Sequence, residues 1–266
     1  MCIVALAWQV LDQLPLCLIS NRDEFYQRPS AAVRFWENSP VIAGQDLQSG
    51  GTWLGITETG RWAVITNYRD GNEQRQYQTS RGHLVQQFLQ STQSPLRFAQ
   101  QLAQQQCDYA GFNLFVGDRQ QAVYLSNRGE APQVLPAGVY VLSNGILSDD
   151  WAKTRHLRQR FTQEFLPLLQ LEQTLDATIE NLAWDLLEDE RKVAMNQLPQ
   201  TGIAPAFEQL LSSTFIQSEH YGTRCSNLLR MGQEGWDWLE KTQQGSDKHK
   251  IKHIHTTWKS KDESLV

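Results

Sequence analysis

Cys2-Ile3-Val4-Ala5-Leu6-Ala7-Trp8 and Leu16-Cys17-Leu18-Ile19-Ser20-Asn21-Arg22-Asp23-Glu24-Phe25 frame the turn-like Asp12-Gln13-Leu14-Pro15, and the fold is read outward from these runs. Two short apolar runs about a turn make a β-hairpin. The second run closes on Asn21-Arg22-Asp23-Glu24, a polar end to an apolar strand. An antiparallel return carries that end back to the start of the first strand, so Arg22 and Asp23 are expected beside Cys2. Composition alone also reads the tetrad as a solvated turn, and both readings stand at this point.

The same pattern recurs along the chain. Thr52 to Thr57 and Trp62 to Thr66 flank Glu58-Thr59-Gly60-Arg61. Phe112 to Val116 and Ala122 to Ser126 flank Gly117-Asp118-Arg119-Gln120, and Val139 to Ser143 reads as a seventh strand. Residues 74 to 106 hold twelve Gln, yet Leu84, Val85, Phe88 and Leu89 form one helical face and Phe98, Ala99, Leu102 and Ala103 another. Ser94-Pro95 reads as a cap with a first-turn proline. Asp149-Asp150 is expected to open a helix with Leu157, Phe161 and Phe165 on its face, and Leu175 to Leu187 makes a further one. Hairpins followed by helices argue an α+β protein with largely antiparallel sheet.

A chain of 266 residues, 40% hydrophobic and 20% charged, buries its own core and excludes collagen, coiled coil and wholesale disorder. A net charge of -5 argues against a groove tracking phosphates, so no nucleic-acid partner is expected. No apolar stretch approaches the ~20 residues of a membrane span, and no basic residue precedes Cys2, as a secretory signal requires. Cys2, Cys17, Cys107 and Cys225 show no C-x-x-C spacing, so a cytoplasmic protein with free thiols is expected. No phosphate-binding, zincin or dinucleotide motif is present, and neither cofactor nor metal is expected. Residues 245–266 are basic and His-rich; they are expected to be a disordered tail outside a single domain of residues 1–244, with His249, His253 and His255 lacking acidic or Cys partners nearby.

Cys2 carries the chemistry of interest. Processing removes Met1 when the second residue is small, which leaves Cys2 first. A free α-amino group has a pKa near 7.7–8.0 and lies beside its own thiol, so it can act as the base for it. The bland reading is one buried strand residue among Ile3, Val4 and Ala5. If the hairpin forms, Arg22 is expected to hold the thiol as thiolate and Asp23 to bond the α-amine.

Met1-Cys2-Ile3 with Asn21-Arg22-Asp23-Glu24 resembles the NRDE family, the transport and Golgi organisation protein 2-like proteins. Gly50-Gly51-Thr52-Trp53-Leu54-Gly55, Thr66-Asn67-Tyr68-Arg69 and Tyr221-Gly222-Thr223-Arg224 resemble its other signature segments, in register over roughly residues 1 to 240. The resemblance implies an N-terminal nucleophile (Ntn) hydrolase-like fold, a four-layer αββα sandwich with two antiparallel sheets. Wider relatives, the choloylglycine hydrolases and acid ceramidase, cleave amide bonds with an N-terminal Cys. By motif, Cys2 corresponds to their nucleophile, Arg22 to the neighbouring Arg and Asp23 to the amine-binding carboxylate. Asn67 resembles an oxyanion-hole Asn, Asn144 another site Asn and Arg224 a late site Arg.

Read without the resemblance, Asn67 is equally a turn cap and Arg224 equally a surface charge. What the resemblance implies is a hydrolase of a C–N (amide) bond in a small molecule or N-acyl compound. The alternative it carries is a non-catalytic binding or trafficking protein on the same fold, with haem, a lipid-like ligand or acyl-CoA as cargo.

Overall fold

The computed structural model describes residues 2–105, 108–171 and 175–258. Met1, Cys107 and the end of the tail therefore lie outside the described residues. Strand β1 (Cys2–Leu11) folds back on β2 (Leu14–Phe25), in the register Cys2↔Arg22, Val4↔Ser20 and Leu6↔Leu18. Both strands are buried on both faces because a layer packs on each side of them. Even-numbered side chains such as Val4, Leu6, Leu16 and Leu18 enter one core, and odd-numbered ones such as Ile3, Ala5, Cys17 and Ile19 enter another.

The remaining strands are β3 (Ser30–Phe35), β4 (Ile42–Asp46), β5 (Leu54–Ile56), β6 (Trp62–Asn67), β7 (Phe112–Gly117), β8 (Ala122–Ser126), β9 (Gln133–Val134), β10 (Gly138–Leu142), β11 (Tyr221–Met231), β12 (Gly235–Thr242) and β13 (Ile251–Thr257). One sheet runs β10-β1-β2-β11-β12-β13 and the other β3-β4-β5-β6-β7-β8-β9, with antiparallel pairing throughout. The two sheets face each other, with Trp8 of β1 against Trp62 of β6 at 6.1 Å between ring centroids. Helices α1 (Gly82–Gln90) and α2 (Pro95–Ala103) cover the outside of the seven-stranded sheet. On the six-stranded sheet lie α3 (Ala152–Arg160), continued through a π-helical turn (Phe161–Phe165) into α4 (Leu166–Leu171), then α5 (Ala177–Leu187). A short α6 (Pro205–Leu210) precedes β11. The layer order is αββα, as expected.

The three expected hairpins form, and Ser94 caps α2 by accepting from the Arg97 backbone N–H at 3.4 Å. Helix α3 starts at Ala152, two residues after Asp150, because Asp149 is turned back to accept from the Ile146 N–H at 2.8 Å.

The tail requires a correction. Residues 251–257 are not disordered: they are the edge strand β13, paired with β12 from Gly235↔Thr257 to Lys241↔Ile251. Backbone hydrogen bonds hold this strand, and only Ile254 of its side chains is buried, so its apolar content is low. Trp258 then donates from Nε1 to the Gly232 carbonyl at 3.2 Å and lies under the Arg119 guanidinium at 4.4 Å. Truncation after Gly245 removes a strand and the burial of Ile254, which alone is worth about 2 kcal/mol. It is expected to lower the melting temperature by several degrees in a calorimetric or fluorescence melt; an unchanged melt would contradict the pairing.

Candidate active site

The β-ladder sets Cys2, Arg22 and Cys225 in one row across β1, β2 and β11, all on the face between the sheets. The Arg22 guanidinium stacks over Trp53 at 4.3 Å and reaches Asp46 Oδ2 at 3.4 Å, both supplied by the opposite sheet side. Arg22 is only 4% exposed, and among the described residues its Nη1 has no hydrogen-bond partner. Asp46 is held mainly by Arg28, whose Nε donates to Oδ2 at 2.6 Å. Burial would raise the Asp46 carboxyl; the hydrogen bonds from Arg28 and Ser49 and the charges of Arg28 and Arg22 outweigh it and keep its pKa below the usual value.

Asp23 follows Arg22 in a strand, so it points to the other face, toward the helices. Its Oδ1 accepts from Thr223 Oγ1 at 2.8 Å. A register shift at Arg224 allows this: Thr223 stays opposite Asp23 while Cys225 stands opposite Arg22. Below Asp23 lies a cluster of buried charge. Lys153 of α3, 6% exposed, donates to the Leu211 carbonyl at 2.9 Å, and burial, reinforced by the charge of Arg69, pushes its pKa down to about 7. Arg69 donates to Glu208 through Nη1 and to Asn144 Oδ1 through Nη2 at 3.2 Å. Burial raises the Asp23 pKa above its usual value, against the pull of Lys153, Arg69 and the Thr223 hydrogen bond.

Cys2 is partly exposed and opens on a cavity of about 110 Å³ whose walls include Arg22, Trp53, Asn67 and Arg81. Asn67 ends β6, and among the described residues its side-chain amide has no hydrogen-bond partner. Its carbonyl accepts from Asn144 Nδ2 at 2.8 Å. Ser143 Oγ lies 3.0 Å from both the Cys2 carbonyl and Asn144 Oδ1. Asn144 and Ser143 therefore bracket Cys2 to Asn67 from behind. Burial pushes the Cys2 thiol above its ordinary pKa, although Arg22 and the Asp23 backbone N–H act in the opposite direction.

The model of the Transport and Golgi organisation 2 family matches residues 1–244. The chain belongs to that family. It is 33% identical over 246 residues to the bovine Transport and Golgi organization protein 2 homolog, covering 87% of this chain and 88% of the relative. Against the human homolog it is 34% identical over 239 residues, with 83% of each chain covered. Among solved structures it is similar to a C2A mutant of conjugated bile acid hydrolase from Clostridium perfringens (TM-score 0.48, 8% identity, 97% of both chains). It is also similar to a Caenorhabditis elegans N-acylethanolamine-hydrolyzing acid amidase ortholog (TM-score 0.44, 12% identity, 85% of this chain and 92% of that one).

The cavity thus brings together Cys2, Arg22 and Asn67, with Asp23 beside them on the far face of the strand. Asn144 stands one layer behind, with one amide hydrogen committed to the Asn67 carbonyl. Arg224 is placed differently again. Its Nη1 donates to the carbonyls of Phe25 and Arg28 at 2.8 Å and of Tyr26 at 3.2 Å, clipping the segment that leaves β2. Arg22 stands opposite Cys2 and its charge pulls the thiol pKa down, against the larger effect of burial, while Asp46 and Trp53 engage the same guanidinium. Sequence reasoning missed Lys153, Ser143, Trp53 and Arg81 as parts of the site. Trp53 and Ser143 had a signal, since they adjoin residues singled out; Lys153 had none, sitting in a polar run ordinarily read as exposed.

Glu240 was also missed. It is 2% exposed on β12, accepts from the Val33 N–H at 2.9 Å, and lies beside the Cys225 thiol. The irregularity in β3 frees that N–H, so Glu240 joins the two sheets next to Arg22. Burial raises its pKa from 4.5 to about 7. A carboxyl raised on folding contributes stability below its unfolded pKa and loses it as pH climbs to the folded value, here from about 4.5 to about 7. Glu240→Gln keeps the acceptor for Val33 and is expected to stabilise the protein at pH 8 by up to ~3 kcal/mol, little at pH 5. Denaturant melts at the two pH values check this; an equal effect at both would contradict it.

Proposed function

We propose that the chain is an N-terminal-cysteine hydrolase that cleaves the C–N bond of a small N-acyl compound or lipid-like amide, after loss of Met1 leaves Cys2 first. The observation that carries this reading is a partly exposed thiol in a cavity with an uncommitted side-chain amide, Asn67, and a buried carboxylate, Asp23, at the same strand end. A thiol raised by burial is protonated at rest and needs a local base. The Cys2 α-amine is that base, held by Asp23. It takes the thiol proton as sulfur attacks the substrate carbonyl and the C–S bond forms. The oxyanion accepts from the Asn67 amide. Collapse breaks the C–N bond, and the protonated amine returns its proton to the leaving nitrogen. Water then attacks the thioester, releasing the acid and restoring the thiol. Arg22 and Asn144 act as positioning residues, Arg22 through the electrostatics of the row and Asn144 through Asn67; Arg224 fixes the chain that leaves β2.

A haem does not fit this cavity. It offers about 110 Å³ and, of the residue types that ligate haem iron, only Cys2 among its described walls, whereas cofactor sites run to roughly 300 Å³ and above. Among the described residues no helix is long and apolar enough to cross a membrane. We read the protein as cytoplasmic, supported by the free thiols Cys2, Cys17 and Cys225.

Turnover of a panel of fluorogenic N-acyl amides tests the reading. Cys2→Ala is expected to abolish hydrolysis. Asn67→Ala is expected to lower kcat by about 10²–10³ with little change in melting temperature, because among the described residues only its backbone is hydrogen-bonded. Hydrolysis that persists in Cys2→Ala would contradict the mechanism, and ligand binding without any turnover would favour a binding protein on this fold.

A further inference from the structure

Three arginines stand in the walls of the Cys2 cavity: Arg22, Arg28 and Arg81. Two are matched. Arg28 lies 2.6 Å from Asp46 and 3.9 Å from Glu24, and Arg22 shares Asp46 at 3.4 Å. Arg81 is different: it donates from Nη1 to the Gly111 carbonyl at 2.8 Å, and among the described residues no carboxylate lies within ion-pair distance of it, the charge of Glu24 reaching it only from farther off. It is half-buried, so its charge is only partly met by water.

The backbone around Arg81 adds to the imbalance. Arg81 is the N-cap residue of α1, a helix of nine residues with no acidic side chain in its first turn, so its own first turn brings no negative charge to the positive end of the helix dipole. That helix end is fixed in place. The Thr52 N–H donates to the Gly82 carbonyl at 3.2 Å, and a Cβ on Gly51 would come within 2.5 Å of the Gly82 carbonyl carbon. The cation is thus anchored at both ends before any ligand arrives, which lowers the ordering cost of binding.

We infer that Arg81 is a specificity residue that receives a carboxylate carried by the substrate within a few atoms of the scissile carbonyl. This rests on the hydrolase reading above. A guanidinium matches a carboxylate in shape as well as charge. Arg81 and Cys2 line the same small cavity, of about 110 Å³, so a carboxylate held by Arg81 lies close to Cys2 and the rest of the substrate extends outward.

The test uses the full chain and two alkylating probes of nearly equal size, iodoacetate and iodoacetamide. Each forms an S–C bond at Cys2 as the C–I bond breaks and iodide leaves, so neither depends on amide turnover. Rates at Cys2 are read by peptide mapping. Arg81→Gln is expected to lower the iodoacetate rate about tenfold, equivalent to ~1.4 kcal/mol, and to leave the iodoacetamide rate within about twofold. Arg81→Lys should retain most of the iodoacetate rate. Ser80→Asp keeps a side-chain acceptor for the Gly82 N–H, places a carboxylate beside Arg81, and should reproduce the loss without removing the bond to Gly111. An iodoacetate-to-iodoacetamide ratio unchanged in both Arg81→Gln and Ser80→Asp would overturn the inference, even with amide hydrolysis intact. A ratio that responds as expected in a protein that hydrolyses no amide would support Arg81 as an anion receptor and remove the hydrolase reading alone.

Discussion

The pairing of β2 between β1 and β11 is the constraint on which the site depends. It places Arg22 directly opposite both Cys2 and Cys225, and strand alternation then sends Asp23 to the other face. One short segment therefore serves two environments. The thiol and Arg22 look into the space between the sheets, while Asp23 looks into the helix layer. The shift at Arg224 makes both matches compatible, since without it Thr223 and Cys225 would not both meet their partners in β2. Arg22 is a buried cation held by one shared carboxylate and one indole face, an arrangement whose partners cost several kcal/mol to remove. The neighbouring elements follow from this: β4 brings Asp46, the start of β5 brings Trp53, and β11 supplies Thr223.

Charge is distributed around Cys2 in a way that separates roles. On the inner side, Asp46 is spoken for by Arg28 and Arg22, which leaves the Asn67 amide as an uncommitted donor. On the outer side, Lys153, Arg69 and Glu208 surround Asp23, with Lys153 shifted to about 7 by its burial. The thiol itself is raised by burial, so the geometry favours a protonated resting state and a transfer to a base at the moment of attack. That differs from a low-pKa thiolate poised by a neighbouring arginine. The difference comes from desolvation winning over one guanidinium that is already engaged.

Much of this was legible in the sequence where local rules decide. The opening hairpin, the hairpins over residues 52–66 and 112–126, and the Ser94 cap follow from turn residues and periodicity alone. The C-terminal strands were harder. In β11, Ser226, Asn227 and Arg230 are polar yet buried, because Ser226 donates to Asn21 and Asn227 accepts from Trp238, long-range partners that no local pattern reveals. In β13 the Lys and His residues that suggest a solvated tail are what an exposed edge strand carries. For the same reason Arg224 and Asn144 were legible as residue types near the site but not as the second layer they form. Their side chains donate to the backbone carbonyls of Phe25, Tyr26, Arg28 and Asn67, and such partners leave no mark on composition.

The central claim is that Cys2 becomes the first residue of the chain and acts as a nucleophile. The most direct measurement is the intact mass of the purified protein before and after exposure to an electrophilic acyl probe, with the adduct located by peptide mapping. The account predicts a chain lacking Met1 that gains one acyl group, on Cys2, and loses it again on standing in water. A chain that retains Met1 and leaves Cys2 unmodified would contradict it, because an acylated nitrogen cannot serve as the base the protonated thiol needs.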